Sequence, residues 1–248
     1  MDSEQPDNEM SLCISTNQSG DHKNECLNGE ASNDPSKEWL HSLWWQVSNA
    51  QEEKNFYDRS AKNYEIMTDQ LHWRAPQLCM KTIANWEQKS GITIPRESVA
   101  IDIGAGTGLS GVALREIGFT GPVDALEPSA NMFALAKQKK IYRDWYGEML
   151  VEGEETTVPG DMYDLAFSVG VFSDRSAKKG SLSEVVRMVK KGGYIAVIMV
   201  ARHWPEEFRD HIALMEGEGL VKTLQVDAFD SDMYMREVAA VAFVLEKL

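Results

Sequence analysis

Cysteine is scarce in this chain of 248 residues, which has only Cys13, Cys26 and Cys79, with neither CxxC spacing nor an even framework. That excludes a disulfide scaffold and points to a reducing compartment, the cytoplasm. Basic charge is also in deficit. The 25 Lys and Arg against 39 Asp and Glu give a formal net charge of −14. No stripe of cations is present to neutralise phosphates, so nucleic acid is not the expected partner. The one basic cluster, Lys137, Lys139 and Lys140, closes a predicted helix, where cations suit the dipole. No run of about 18 apolar residues occurs, which excludes a spanning helix and leaves no membrane partner expected. The opening MDSEQPDNEM has no basic-then-apolar signal pattern. No Lys follows Gly108 or Gly111, which rules out a phosphate-binding P-loop.

What is present begins with a contrast. Residues 1–36 are rich in Ser, Asn, Asp and Glu without apolar periodicity, and read as a disordered tail. Residues 37–94 read as a helical cap or lid. Trp39, Leu40, Leu43, Trp44 and Val47 fall at helical spacings, as do Phe56, Tyr57, Tyr64, Met67 and Leu71. Trp39, Trp44 and Trp45 suit a helix packed on the core better than an acceptor pocket. A third helix starts at Pro76 and stops at Gly91.

From residue 95 to 248 strands and helices alternate. Strands are expected at Val99–Ile103, Val123–Glu127, Trp145–Leu150, Tyr163–Gly170, Tyr194–Val200, Leu220–Val226 and Val238–Leu245. Helices are expected to Ile117, over Ala130–Lys139, over Leu182–Val189 and around Pro205–Glu218, with a turn at Lys191–Gly193. This predicts an α/β fold with a Rossmann-like, doubly wound, seven-stranded sheet, mostly parallel. No helix separates the last two strands, so they should pair antiparallel.

The first strand runs into Asp102-Ile103-Gly104-Ala105-Gly106-Thr107-Gly108. Glycines let a backbone turn sharply and approach a flat ligand, and doubly wound sheets bind ligands at this rim. A dinucleotide fingerprint needs a third glycine where Leu109 stands, so that register fails. Acidic-x-Gly-x-Gly-x-Gly fits a cofactor without phosphate that carries an ammonium and a carboxylate. Asp102 would repel pyrophosphate but help hold an ammonium. About twenty residues on, Glu127 ends the second strand, where a carboxylate can accept both hydroxyl protons of an adenosine ribose. Pro128 and Ser129 start the next helix at once, as a binding turn would.

VAIDIGAGTG, VDALEPS, YDLAFSVG and KKGGYIAVIMV, in that order, resemble the motifs of class I S-adenosylmethionine-dependent methyltransferases. An antiparallel last strand is that family's signature. Tyr57–Asp58, Tyr64 and Trp73–Arg74–Ala75–Pro76 further resemble the methyltransferase-like protein 27 group of the Williams–Beuren region, over residues 55 to 245. The resemblance implies S-adenosyl-L-methionine as cofactor, bound by Asp102, Gly104, Ala105, Gly106, Thr107, Gly108, Glu127, Pro128 and Ser129. It also implies an adenine contact near Gly147, Glu148 and Met149, and a wall from Val169, Gly170 and Val171 against the methionine part. Lys191 stands where the family's turn usually has proline.

Methyl transfer from a sulfonium is an in-line displacement that chiefly needs alignment. Tyr64 and Arg74, on the expected lid, are candidates for the cofactor's carboxylate. His203 and Asp174, in loops after the fifth and fourth strands, are the candidate bases; His72 is weaker. No (Asp/Asn)-Pro-Pro-(Tyr/Phe) motif follows the fourth strand, which argues against exocyclic nucleobase amines and Gln side chains. The acidic composition and the lid favour a small-molecule acceptor. A protein methyltransferase and a non-catalytic cofactor-binding regulator are the alternatives.

Overall fold

The computed structural model describes residues 49–173, 177–204, 206–235 and 238–248. The expected tail, the stretch from Trp39 to Val47, Cys13, Cys26 and Asp174 lie outside the described residues.

Helix α1 (Ala50–Gln70) starts at Asn49, whose side chain accepts a hydrogen bond from the Glu52 N–H at 3.0 Å. Helix α2 (Ala75–Ser90) carries Pro76 in its first turn, where a missing N–H costs nothing, and ends at Gly91 with φ 73°. There follow β1 (Ala100–Ile103), α3 (Leu109–Glu116), β2 (Val123–Leu126), α4 (Ala130–Gln138), β3 (Tyr142–Tyr146) and β4 (Tyr163–Val169). The chain continues with α5 (Leu182–Met188), β5 (Val189–Val200), α6 (Glu206–Gly217), β6 (Val221–Phe229), the short α7 (Ser231–Tyr234) and β7 (Ala240–Lys247).

The strands form one seven-stranded sheet in the order β3-β2-β1-β4-β5-β7-β6. The first five pair in parallel, and β7 is antiparallel to both β5 and β6. This is the expected doubly wound architecture. The chain winds outward from β1 through β2 to β3, then restarts on the other side at β4. That reversal leaves a crevice beyond the carboxyl ends of β1 and β4.

Strand alternation divides the core. Ile195, Val197 and Met199 of β5 pack with Val185 of α5 and Phe208 of α6, while Ala196 and Ile198 meet Leu78, Met80 and Ile83 of α2 on the opposite face. Helix α2, expected with α1 in the cap, is therefore an integral layer of the sheet. Of the described N-terminal helices, only α1 is placed to cover the rim.

Two expected boundaries are corrected. The third strand is Tyr142–Tyr146, not Trp145–Leu150. It is an edge strand whose central residues Arg143, Asp144 and Trp145 are exposed, so no apolar alternation marks it. Arg143 fixes it by donating from Nε and Nη2 to the buried Asp124 of β2, at 2.9 and 2.5 Å. The turn expected at Lys191–Gly193 lies within β5. Val189 already pairs with Tyr163, the chain bulges, and the ladder resumes at Tyr194 opposite Leu165.

Helix α1 is clasped to α4 at both ends. Asp58 Oδ1 accepts from the Ser129 hydroxyl at 2.6 Å and lies 3.5 Å from the Asn131 N–H, while its backbone carbonyl accepts from the Asn131 side chain at 3.0 Å. Seven residues on, and so on the same helix face, Glu65 pairs with Lys139 at 2.6 Å. Lys139 also donates to the Thr107 carbonyl at 2.7 Å. In the Asp58 clasp the bond from the Ser129 hydroxyl goes to a charged group and is worth about 1.5–3 kcal/mol. Asp58→Ala is expected to speed amide exchange along α1 by about tenfold or more and leave β4 and β5 unchanged, as hydrogen-exchange mass spectrometry would show.

Candidate functional site

The turn after β1 folds back on itself. Gly104 and Ala105 both donate backbone N–H to the Leu126 carbonyl, at 2.7 and 3.3 Å. Gly104 has φ 71°, and a Cβ there would stand 2.2 Å from Val171 Cγ2. A side chain is thus excluded by both conformation and space. The loop after β4 roofs the glycine turn.

Glu127 sits at the joint between β2 and α4. Its Oε2 accepts from the Gly106 N–H and its Oε1 from the Ser129 N–H, each at 2.8 Å. Each carboxylate oxygen keeps further acceptor capacity. The side chain is 6% exposed. Burial raises its pKa to about 7 against the two hydrogen bonds, and the charges of Asp102 and Asp58 push the same way. Ser129, fully buried, caps α4 by accepting from the Met132 N–H at 3.1 Å, with the half-buried Pro128 before it.

Asp102 is fully buried beneath the turn. Its Oδ2 accepts from the Ser110 hydroxyl of α3 and the Tyr142 hydroxyl of β3, both at 2.6 Å. Burial raises its pKa to about 7 despite these bonds. Its Oδ1 has no hydrogen-bond partner among the described residues, and neither has the buried Thr107 Oγ1. Two orphaned polar atoms on a glycine turn, beside a carboxylate with acceptor capacity to spare, suit a polar, phosphate-free cofactor.

The remaining sequence candidates are distributed as follows. Val169 ends β4, and Gly170 turns away with φ 74°. A Cβ on Gly170 would lie 3.8 Å from Trp73 Cζ2, so the indole reaches this rim. Tyr64 stands on α1, half-buried, and feels the charge of Glu127. Arg74 precedes α2, its N–H donating to the Tyr234 carbonyl at 2.8 Å. Its side chain is exposed and makes no hydrogen bond to the glycine turn. Gly147, Glu148 and Met149 lie beyond the end of β3, and the Glu148 carboxylate accepts from the Thr157 N–H and hydroxyl. His203 closes the single turn after β5, with Nε2 accepting from Arg202 Nε at 3.3 Å. His72 is exposed in the turn between α1 and α2.

Sequence reasoning passed over four residues that build this region. Lys139, read only as a helix-end charge, ties the glycine turn to α1. Trp145, read as a strand residue, donates Nε1 to the Glu127 carbonyl at 2.8 Å and stacks on Phe133 at 4.7 Å. Tyr57 is edge-on to Tyr64 at 6.2 Å, and Tyr234 arrives from α7. Helical periodicity marks Tyr57 as inward but cannot say what it faces, and Tyr234 lies in a segment read as loop.

The paired carboxyls fix a pH dependence of the ligand-free protein. A carboxyl whose pKa folding raises keeps its proton in the native state while the unfolded chain has lost it. The native state then binds more protons, and stability falls as pH rises. The window runs from about 4, the unfolded value, to about 7 for Asp102 and Glu127. Urea unfolding across that window is expected to show stability falling by about 1.4 kcal/mol per pH unit for each such proton. Glu127→Gln is expected to flatten the slope, and an unchanged slope would contradict these assignments.

Comparison with known proteins supplies the chemistry. Residues 101–197 match the methyltransferase domain family. The fold is that of the MccD protein, with 9% identity and a TM-score of 0.51, covering 68% of this chain and 96% of that one. It is also that of a chain in the complex between the Haloferax volcanii Trm112 methyltransferase activator and a methyltransferase. There the identity is 14% and the TM-score 0.51, covering 76% of this chain and 96% of that one. Among curated proteins, nothing matches. The family match begins inside β1, spans the glycine turn and the Glu127 joint, and ends inside β5, so the crevice described above lies within the segment that matches a methyltransferase domain, which supports methyl transfer from S-adenosyl-L-methionine.

Proposed function

We propose that this methyltransferase acts on a small-molecule acceptor, enclosed between the glycine turn and α1. The observation that supports the reading is the double clasp of α1 on α4, which sets Tyr57 and Tyr64 beside Glu127. A rim covered in this way suits a small guest better than a broad macromolecular surface. Cysteine scarcity supports a cytoplasmic location, and the motif from Tyr57 to Pro76 supports placement in the methyltransferase-like protein 27 group.

In this reading Glu127 accepts the two ribose hydroxyls with the lone pairs that Gly106 and Ser129 leave. The backbone of Gly104–Gly108, with Asp102 beneath it, holds the amino-acid part. Tyr64 and Arg74 approach the carboxylate from the lid, Val169 and Gly170 wall the methionine chain, and Glu148 and Met149 stand at the adenine side. Glu148 would share its oxygens with Thr157. When bound, S-adenosyl-L-methionine supplies an electrophilic methyl on a sulfonium. The chain's own task is to align the acceptor and exclude water, and alignment is worth about 7–11 kcal/mol. His203 and Asp174 serve as bases only for acceptors that must lose a proton early.

Glu127→Ala is expected to weaken S-adenosylhomocysteine binding by about 2–4 kcal/mol, the loss of hydrogen bonds to a charged group. Because the ionised form accepts both hydroxyls, affinity in the native protein should rise with pH through about 7, and Glu127→Gln should abolish that rise. Isothermal titration at several pH values measures both. For the acceptor, labelled cofactor incubated with a size-fractionated extract is expected to label small molecules. Label confined to protein would overturn the small-molecule reading.

A further inference from the structure

Four aromatic side chains from three separate segments meet at the covered rim. Tyr57 and Tyr64 come from α1, Trp73 from the turn before α2, and Tyr234 from α7. Tyr57 and Tyr64 are 6.2 Å apart at an interplanar angle of 64°, and Tyr64 and Trp73 are 6.4 Å apart at 80°. Successive rings thus stand close to perpendicular, as adjoining walls do. Trp73 Nε1 donates to the Tyr234 hydroxyl at 3.4 Å, which joins the third wall to the fourth. The group lies over the reacting rim at two points: Trp73 reaches Gly170 at the end of β4, and the Glu127 charge acts on both Tyr57 and Tyr64. Tyr234 belongs to the buried core, and Tyr64 and Trp73 pack against it only partly buried, so the group joins the core on one side and the rim on the other.

Resting on the small-molecule reading, we propose that the acceptor is a small amine, methylated on nitrogen, and that Tyr57, Tyr64, Trp73 and Tyr234 form the box that holds it. Aromatic faces attract cations, with contributions that grow when the site is desolvated. In N-methylation the nitrogen lone pair forms the new C–N bond, and the electron pair of the broken C–S bond stays on sulfur. The positive charge therefore passes from sulfur to nitrogen, and any proton on nitrogen leaves afterwards to water. A box of π faces suits both ends of that transfer. The phenols are unsuited to act as bases. Burial raises all three pKa values, Tyr234 to about 12; Tyr57 is raised further by Tyr64 and Glu127, and Tyr64 by Tyr234 and Glu127. They remain protonated at neutral pH. An alcohol or carbon acid would need a base, whereas a neutral amine brings its own lone pair.

The test uses the full chain saturated with S-adenosylhomocysteine and two probes of equal shape, choline and its uncharged analogue 3,3-dimethylbutan-1-ol. Choline is expected to bind about tenfold or more tightly than the analogue. Trp73→Leu should remove that preference and Trp73→Phe should keep it, while S-adenosylhomocysteine affinity in both stays within about twofold. If Trp73→Leu loses S-adenosylhomocysteine binding, Tyr57→Leu replaces it in the same comparison. Equal affinity for the two probes, failure of choline to bind, or a preference that survives both leucine variants would overturn the proposal. Identification of the labelled product separates the two readings. Label on nitrogen of a small molecule supports both. Label on oxygen, carbon or sulfur of a small molecule overturns the amine inference alone, and label in protein overturns both.

Discussion

The site depends on a buried carboxylate that accepts two backbone N–H groups from two different elements. Glu127 receives one from Gly106 in the turn after β1 and one from Ser129 at the start of α4. Without it, the glycine turn and the α4 N-terminus would each carry an unsatisfied donor in a water-poor place. With it, two loops that are far apart in sequence are held in fixed relation. The same joint orients α4, and α4 in turn carries α1 through Asp58 at one end and Glu65 at the other. The rim and its cover by α1 therefore trace back to one side chain.

Burial of charge is the cost of this arrangement. Asp102 and Glu127 both lie out of water, and each pKa is raised to about 7. Hydrogen bonds from Ser110, Tyr142, Gly106 and Ser129 offset part of that cost but leave one Asp102 oxygen without a partner among the described residues. On the proposed reading, a ligand that brings hydroxyls and positive charge, as S-adenosyl-L-methionine does, relieves that cost. Elsewhere the protein settles its buried charge internally, as where Arg143 and Tyr163 both donate to Asp124.

Legibility in the sequence followed burial. Strands with a buried face, such as β1, β4, β5 and β7, betray themselves by apolar residues, and Pro76 and Gly91 mark the ends of α2 by backbone chemistry. The edge strand β3 did not, because Arg143, Asp144 and Trp145 face solvent and its hold on the sheet comes from an ion pair. Lys191–Gly193, within the β5 bulge, reads as a turn, since glycines serve either purpose. In the site, Glu127 was legible because strand length and helix start fix its place relative to the glycines. Lys139, Trp145 and Tyr234 were not, since their roles arise from contacts with residues distant in the chain: Lys139 is 74 positions from its partner Glu65.

By itself, then, the sequence determined the alternation of strands and helices, the antiparallel close of the sheet, the glycine turn and the acid that follows it. These are local in origin: side-chain periodicity, turn chemistry and spacing along one chain. Only the tertiary structure decided that α2 is a layer of the core while α1 lies over the rim, and that a tryptophan and three tyrosines from three segments share one space. The physical reason is that a residue's burial and its neighbours depend on which elements pack together. Aromatic and charged side chains have many equally good surroundings until the sheet order selects one.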